Sequence, residues 1–269
     1  MFSEPNPLSD PGPEPFPQPP LPTAPPTENP VWSGWDVLQI AVLTIVAIVA
    51  LVMLVALIAQ RLLFRGTAFL DVVKLPMVSV AAQLLAYLVV LGFMVLVVKR
   101  EPQRPFWRSV RWNWPGSAWG VFVICGAVVY FALLGIGQLL PIPKHLPIDQ
   151  FFGNAREAMF LSIVSVTIAP LMEELFFRGF LYPVLVRRLG VGASIVLTAA
   201  LFGFLHWAQL GYSWAVVIIF LVGLALTIVR AVTKSVAASF LTHVGYNGTL
   251  SLLLFVATDG FRHLEKLGQ

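Results

Sequence analysis

Three groups of residues interrupt otherwise apolar stretches of this 269-residue chain with side chains that can do chemistry. They are Glu173, Glu174 and Arg178 in PLMEELFFRGFLYPVL, His206 in LFGFLHW, and His243 with Asn247 in THVGYN. A carboxylate in a poorly solvated cavity can take a proton from water at neutral pH, and an imidazole can hold that water or protonate a leaving amine. A second imidazole and an amide can donate to a developing oxyanion, an effect worth about 3–4 kcal/mol per donor. The set suits hydrolysis of a peptide bond by activated water. No serine or cysteine is placed beside a histidine by any recognisable pattern, so a covalent nucleophile is not expected.

Spacing separates the roles. At 100° per residue, Glu174 and Arg178 share a helix face while Glu173 points about 100° away from Glu174. Glu174 and Arg178 therefore read as a bracing ion pair, and Glu173 is left without a local partner. Phe202 with His206, and His243 with Asn247, repeat the one-turn spacing. Pro170 removes a backbone donor one turn before the carboxylates and loosens that helix. Ionisable residues at the centre of a membrane helix cost about 2.5–3.5 kcal/mol each on insertion scales, so these must face protein or water.

The elements that position them are membrane helices. The chain is 58% hydrophobic and 11% charged, against about 45–50% and 25% in soluble domains. Its mean hydropathy is +0.85. Apolar runs at 37–60, 75–98, 118–140, 158–181, 191–210, 214–232 and 236–256 are each near the length that crosses a bilayer. The expected fold is an all-α integral membrane protein, a polytopic bundle of about seven or eight transmembrane helices. Residues 1–35 hold twelve of the 21 prolines and no Lys or Arg, which predicts a disordered proline-rich tail ahead of a membrane domain at 36–269. The tail lacks the basic start of a signal peptide, so the first apolar run is expected to stay as an anchor.

The net charge of +4 resides in short loops, a topological pattern that gives no reason to expect a nucleic-acid partner. Lys99, Arg100, Arg104, Arg108 and Arg111 face one acid, Glu101, in a single loop. By the positive-inside rule that loop is cytoplasmic. Counting spans outward puts Arg187, Arg188, Arg230, Lys234 and the N-terminus on the same side. The expected location is the bacterial cytoplasmic membrane. Arg61, Arg65 and Lys74 in the first loop run against this count. Cys125 lies alone in an apolar run and forms no internal disulfide.

At these residues the sequence resembles the CAAX protease and bacteriocin-processing family of glutamate-type intramembrane proteases, which includes the type II CAAX prenyl endopeptidase. The family's EExxxR, FxxxH and HxxxN motifs correspond here to Glu173–Glu174 with Arg178, Phe202 with His206, and His243 with Asn247. The resemblance covers about residues 158–256. It implies Glu173 as general base, His206 as its partner on the water, and His243 and Asn247 as oxyanion donors. Glu174, Arg178 and Phe202 support them. It also implies a peptide or protein substrate, lipidated or membrane-embedded, and no cofactor.

Other readings stay open. Glu173, His206 and His243 form a plausible zinc set, although no HExxH stands on one helix. A buried glutamate with two histidines could also serve a proton-coupled transporter, or the helices could act as a non-catalytic scaffold. One depth check resists the scheme. Along straight helices Glu173 lies about 21 Å from Arg187, His206 about 23 Å from Val191 and His243 only about 11 Å from Val236. Tilted helices or misplaced span ends would reconcile these depths, with the cavity expected to open on the cytoplasmic side.

Overall fold

The computed structural model describes residues 28–101, 103–143, 145–147, 149 and 153–264. The described residues are helical and contain no strand. In chain order the helices are α1 (Gly34–Leu62), α2 (Phe69–Val73), α3 (Pro76–Lys99), α4 (Phe106–Ser109), α5 (Trp119–Gly137), α6 (Ala155–Val166), α7 (Ile168–Glu174), a π-helical segment (Leu175–Leu181), α8 (Tyr182–Leu205), α9 (Ala215–Thr233) and α10 (Val236–Ala257). Six helical stretches among the described residues are long and apolar enough to cross a membrane. Their outer faces carry large exposed side chains, such as Val42, Ile45, Val46 and Val49 on α1 and Val121, Ile124 and Val128 on α5. Apolar area on that scale is covered by lipid.

One of the six, Ala155–Leu205, runs for 51 residues. At 1.5 Å per residue it is about 76 Å long, more than twice the hydrocarbon core of a bilayer. Gly190 breaks it, with φ 75° and ψ 173°, a conformation essentially confined to glycine. The two limbs match the separate spans expected at 158–181 and 191–210, which makes seven crossings.

The proline-rich region divides at Glu28. Residues 1–27 lie outside the described residues. Glu28–Ser33, which composition placed in the tail, is packed against the bundle. Glu28 bridges Arg111 at 3.1 Å and Arg230 at 3.0 Å. Trp32 is buried, stacks on Phe180 with ring centroids 4.4 Å apart, and donates from Nε1 to the Phe180 carbonyl at 2.9 Å. Ser33 and Asp36 then cap α1 reciprocally, each side chain accepting from the other's backbone N–H. A charged contact and an aromatic stack late in a proline-rich segment are long-range features that composition does not reveal.

These contacts gather the basic loops at one end of the bundle. Arg100 pairs with Asp36, Arg187 donates to the Pro30 carbonyl, and Asn113 donates to the Lys234 carbonyl. Arg100, Arg111, Arg187, Arg230 and Lys234 thus share a face, as the span count requires. Arg230, read from sequence as a loop charge, is instead 1% exposed, with its guanidinium 5.4 Å from the Tyr182 ring centroid.

The depth discrepancy resolves at the same end. Ser235 caps α10 and also donates to the Asn113 carbonyl, while the Val236 N–H donates to the Arg111 carbonyl at 2.9 Å. Val236, Ala237 and Ala238 are fully buried. Helix α10 therefore starts inside the protein beneath residues 111–113, deeper than the loops used as a reference, and His243 reaches the level of Glu173.

Helix α10 packs chiefly on α5, α8 on α9, and α1 on α3. The α5–α10 contact is backbone on backbone: a Cβ on Gly126 would stand 2.0 Å from the Thr242 carbonyl oxygen. Gly126→Ala is accordingly expected to push α10 away and lower stability by about 1–3 kcal/mol. Thermal unfolding in detergent measures this, and a midpoint equal to wild type would show that the helices can part without cost.

Candidate active site

Glu174 is fully buried, and both its oxygens are used. Oε1 accepts from Arg178 Nη1 at 2.8 Å and lies 3.0 Å from His243 Nδ1. Oε2 lies 2.6 Å from Ser239 Oγ. Arg178 also donates to the Gly223 carbonyl at 2.8 Å and to Thr227 Oγ1 at 3.2 Å, both on α9, so each of its three nitrogens has a partner. The predicted Glu174–Arg178 pair is present and ties the π segment to α9 and α10. A charge buried this deeply is tolerable only with such complete pairing.

Glu173 differs from its neighbour. It is partly exposed and accepts no hydrogen bond from the described residues. Its oxygens face two imidazoles, His206 Nε2 at 3.9 Å and His243 Nε2 at 3.8 Å. Both distances exceed a direct hydrogen bond and leave room for a small ligand between the groups. Three elements distant in sequence thus bring Glu173, His206 and His243 together.

The far ring nitrogens fix the near ones. His206 Nδ1 lies 2.8 Å from the Phe202 carbonyl, which can only accept, so Nδ1 carries the proton. His243 Nδ1 likewise donates to the Glu174 carboxylate. In their neutral forms both histidines therefore present an Nε2 lone pair toward Glu173. Phe202 lies among them, with its ring centroid 4.8 Å from that of His206 and 5.9 Å from that of His243. The Arg178 guanidinium stands 4.7 Å from the same ring centroid.

Asn247, one turn beyond His243, gives one N–H to the Ser165 carbonyl at 2.8 Å. That carbonyl lies where α6 gives way to α7 at Thr167, just ahead of Pro170. Asn247 thus supports the backbone break, and it does not line the cavity beside Glu173.

A cavity of about 270 Å³ adjoins Glu173 and His206. Its walls come from α1 through Ala41, Thr44, Ile45 and Ile48, and from α3 through Gln83, Tyr87, Val90 and Met94. The exposed lining residues are Ile45 on α1, Leu205 at the far end of α8 and Gln209 just beyond it. From Gly190 to Leu205 the helix rises about 22 Å, so that rim lies away from the basic end. The expectation of an opening on the basic side is corrected accordingly. With Cys125 replaced by alanine, cysteines at Arg108 and Gln209 are expected to react with an impermeant maleimide from opposite sides of the membrane. Labelling of both from one side would contradict this placement.

Sequence reasoning missed three contributors. Ser239 stands one turn before His243, and Gln83 one turn before Tyr87, so the one-turn rule would have found both had it been applied to neutral polar residues. Thr227 carries no such signal, because its role depends on how α9 packs. Among the described residues, no group of three or more His, Cys, Asp and Glu side chains stands at metal-holding spacing.

The bundle, with a carboxylate and one imidazole lining a cavity between its helices and a second imidazole buried beside them, defines an integral membrane protein carrying a candidate acid–base site. Residues 155–249 match the family model described as type II CAAX prenyl endopeptidase Rce1-like, and over that segment the chain is similar to this protease family. The match takes in all three motifs. No curated protein and no solved structure gives a significant match to the chain.

Proposed function

We propose that the protein is an intramembrane endopeptidase that hydrolyses a peptide bond with water activated by Glu173 and His206. The observation that carries this reading is the Glu173 carboxylate, free of hydrogen bonds from the described residues and facing two imidazole Nε2 atoms at 3.8 and 3.9 Å. A water between Glu173 and His206 gives one proton to each acceptor, which leaves a lone pair for the scissile carbonyl. Glu173 takes the proton as the oxygen–carbon bond forms, and the proton then passes to the leaving amine as the carbon–nitrogen bond breaks. His243 can donate to the oxyanion only as imidazolium, because its Nδ1 proton is committed to Glu174. The second N–H of Asn247 is the other proposed donor.

The family's description makes a prenylated C-terminal peptide the first substrate to try. We place the basic end of the bundle on the cytoplasmic side of a bacterial cytoplasmic membrane. The reading is tested by identifying peptides released from host membrane proteins by wild type and by a folded Glu173→Ala variant. Identical peptide sets would overturn it.

The paired Nε2 lone pairs also support a metal reading, since metal-binding histidines commonly donate the other ring N–H to a carboxylate or carbonyl. Glu173, His206 and His243 would hold a zinc ion only if they closed from the 3.9 and 3.8 Å separations seen here, which are not at metal-holding spacing. Metal analysis of purified protein and the response of cleavage to a chelator separate the two. Stoichiometric metal together with chelator-sensitive cleavage would establish the second reading.

A further inference from the structure

The cavity beside Glu173 has a wall that no catalytic motif covers, and the protons of its polar lining can be traced. Thr44 gives its hydroxyl proton to the Ile40 carbonyl at 2.8 Å. His206 gives its Nδ1 proton to Phe202. Glu173, when ionised, only accepts. Gln209 stands exposed at the rim. There remain Gln83 and Tyr87 on α3, one turn apart and bonded to each other.

With the Gln83 amide donating to Tyr87 Oη, the phenolic proton is given to no other described residue, and one amide N–H is also left over. Turning the amide round would let the phenol donate to Oε1 and leave both amide N–H groups over. Tyr87 is a donor to the cavity in the first arrangement, which is the one the structure records, with the Gln83 amide donating to the phenolic oxygen. The other lining side chains are apolar, accept only, have spent their proton, or lie at the exposed rim.

A peptide entering this cavity brings carbonyls that lose water, and each needs a donor to replace it. We propose that Tyr87, held by Gln83, donates a hydrogen bond to a backbone carbonyl of the bound substrate and so positions the peptide against Glu173. The inference rests on the endopeptidase reading. It places a substrate-binding group on α3, outside the segment that matches the protease family.

The test uses full-length protein in detergent and a farnesylated CAAX peptide as the probe. Its dissociation constant is measured in the Glu173→Gln background, and KM and kcat in the otherwise wild-type protein. Tyr87→Phe is expected to weaken binding about five- to tenfold, the size of one net hydrogen bond. KM rises by the same factor, so kcat/KM falls through KM while the pH profile and the thermal midpoint stay put. Gln83→Leu, which frees the phenol without removing it, shifts both constants in the same direction.

Unchanged binding and KM in Tyr87→Phe, beside a Glu173→Gln variant that no longer cleaves, would overturn the inference and leave the endopeptidase reading standing. A fall in kcat alone would overturn it too, by showing that the hydroxyl acts in the transition state and not in binding. A Glu173→Gln variant that cleaves at the wild-type rate, or wild-type protein that neither binds nor cleaves the peptide, would remove the underlying reading and the inference together.

Discussion

Replacing Glu174 by alanine is expected to destabilise the protein by about 3–5 kcal/mol, the usual result of removing one partner from a buried ion pair. The variant leaves Arg178, which is fully buried, without its carboxylate and takes the acceptor from His243, while Ser239 keeps only the Leu226 carbonyl. Most of the cost comes from the orphaned cation and not from a lost attraction. Glu174→Gln with Arg178→Met, which removes both charges and keeps the volume, is therefore expected to recover a large part of the lost stability. It is not expected to recover activity, because a glutamine holds the His243 Nδ1 proton less firmly. Thermal unfolding of the single and double variants measures both effects. A Glu174→Ala midpoint at the wild-type value would mean that the pair contributes little to the fold.

Glu173→Gln is expected to do the opposite: the fold stays and turnover goes. The amide has the shape of the carboxylate but cannot take a proton from water, and loss of a general base lowers kcat by about 10²–10⁴-fold. The wild-type carboxylate accepts no hydrogen bond from the described residues, so nothing structural is left unsatisfied and the melting temperature should move little. His206→Ala is expected to lower kcat as well. Combining it with Glu173→Gln should cost far less than the sum of the two losses, since both act on one water. Additive losses would show that the two side chains act in separate steps.

The contrast between adjacent glutamates was legible in the sequence because it depends on local geometry alone. A one-turn offset joins Glu174 to Arg178 whether or not the rest of the fold is known, and a 100° rotation frees Glu173. The pairing of Phe202 with His206 was visible for the same reason, and the structure adds that the Phe202 carbonyl sets the histidine's tautomer. Contacts to Glu174 from His243 and Ser239 were not legible, because they cross 69 and 65 residues of chain.

Most span ends were legible to within a few residues, but the depth at which a span begins was not. Composition alone does not reveal that Val236 starts its helix buried beneath residues 111–113. Hydropathy did separate the runs at 158–181 and 191–210, but it did not show that a single glycine, Gly190, makes the break between them. Glu28 escaped notice because its segment is read by its prolines, and one acid among them looks like a solvated charge.

That acid has a consequence for how the chain is assembled. Glu28 leaves the ribosome 202 residues before the arginine it will pair with inside the bundle. Arg230 arrives on the sixth crossing as a cation bound for a buried position, and its counterion is already waiting at the mouth of the first. The early anchor and the late helix therefore close on each other like a clasp, and the bundle is completed only when both ends of the chain have entered the membrane. Two halves made from separate messages would find each other through this contact only if the first half begins ahead of Glu28.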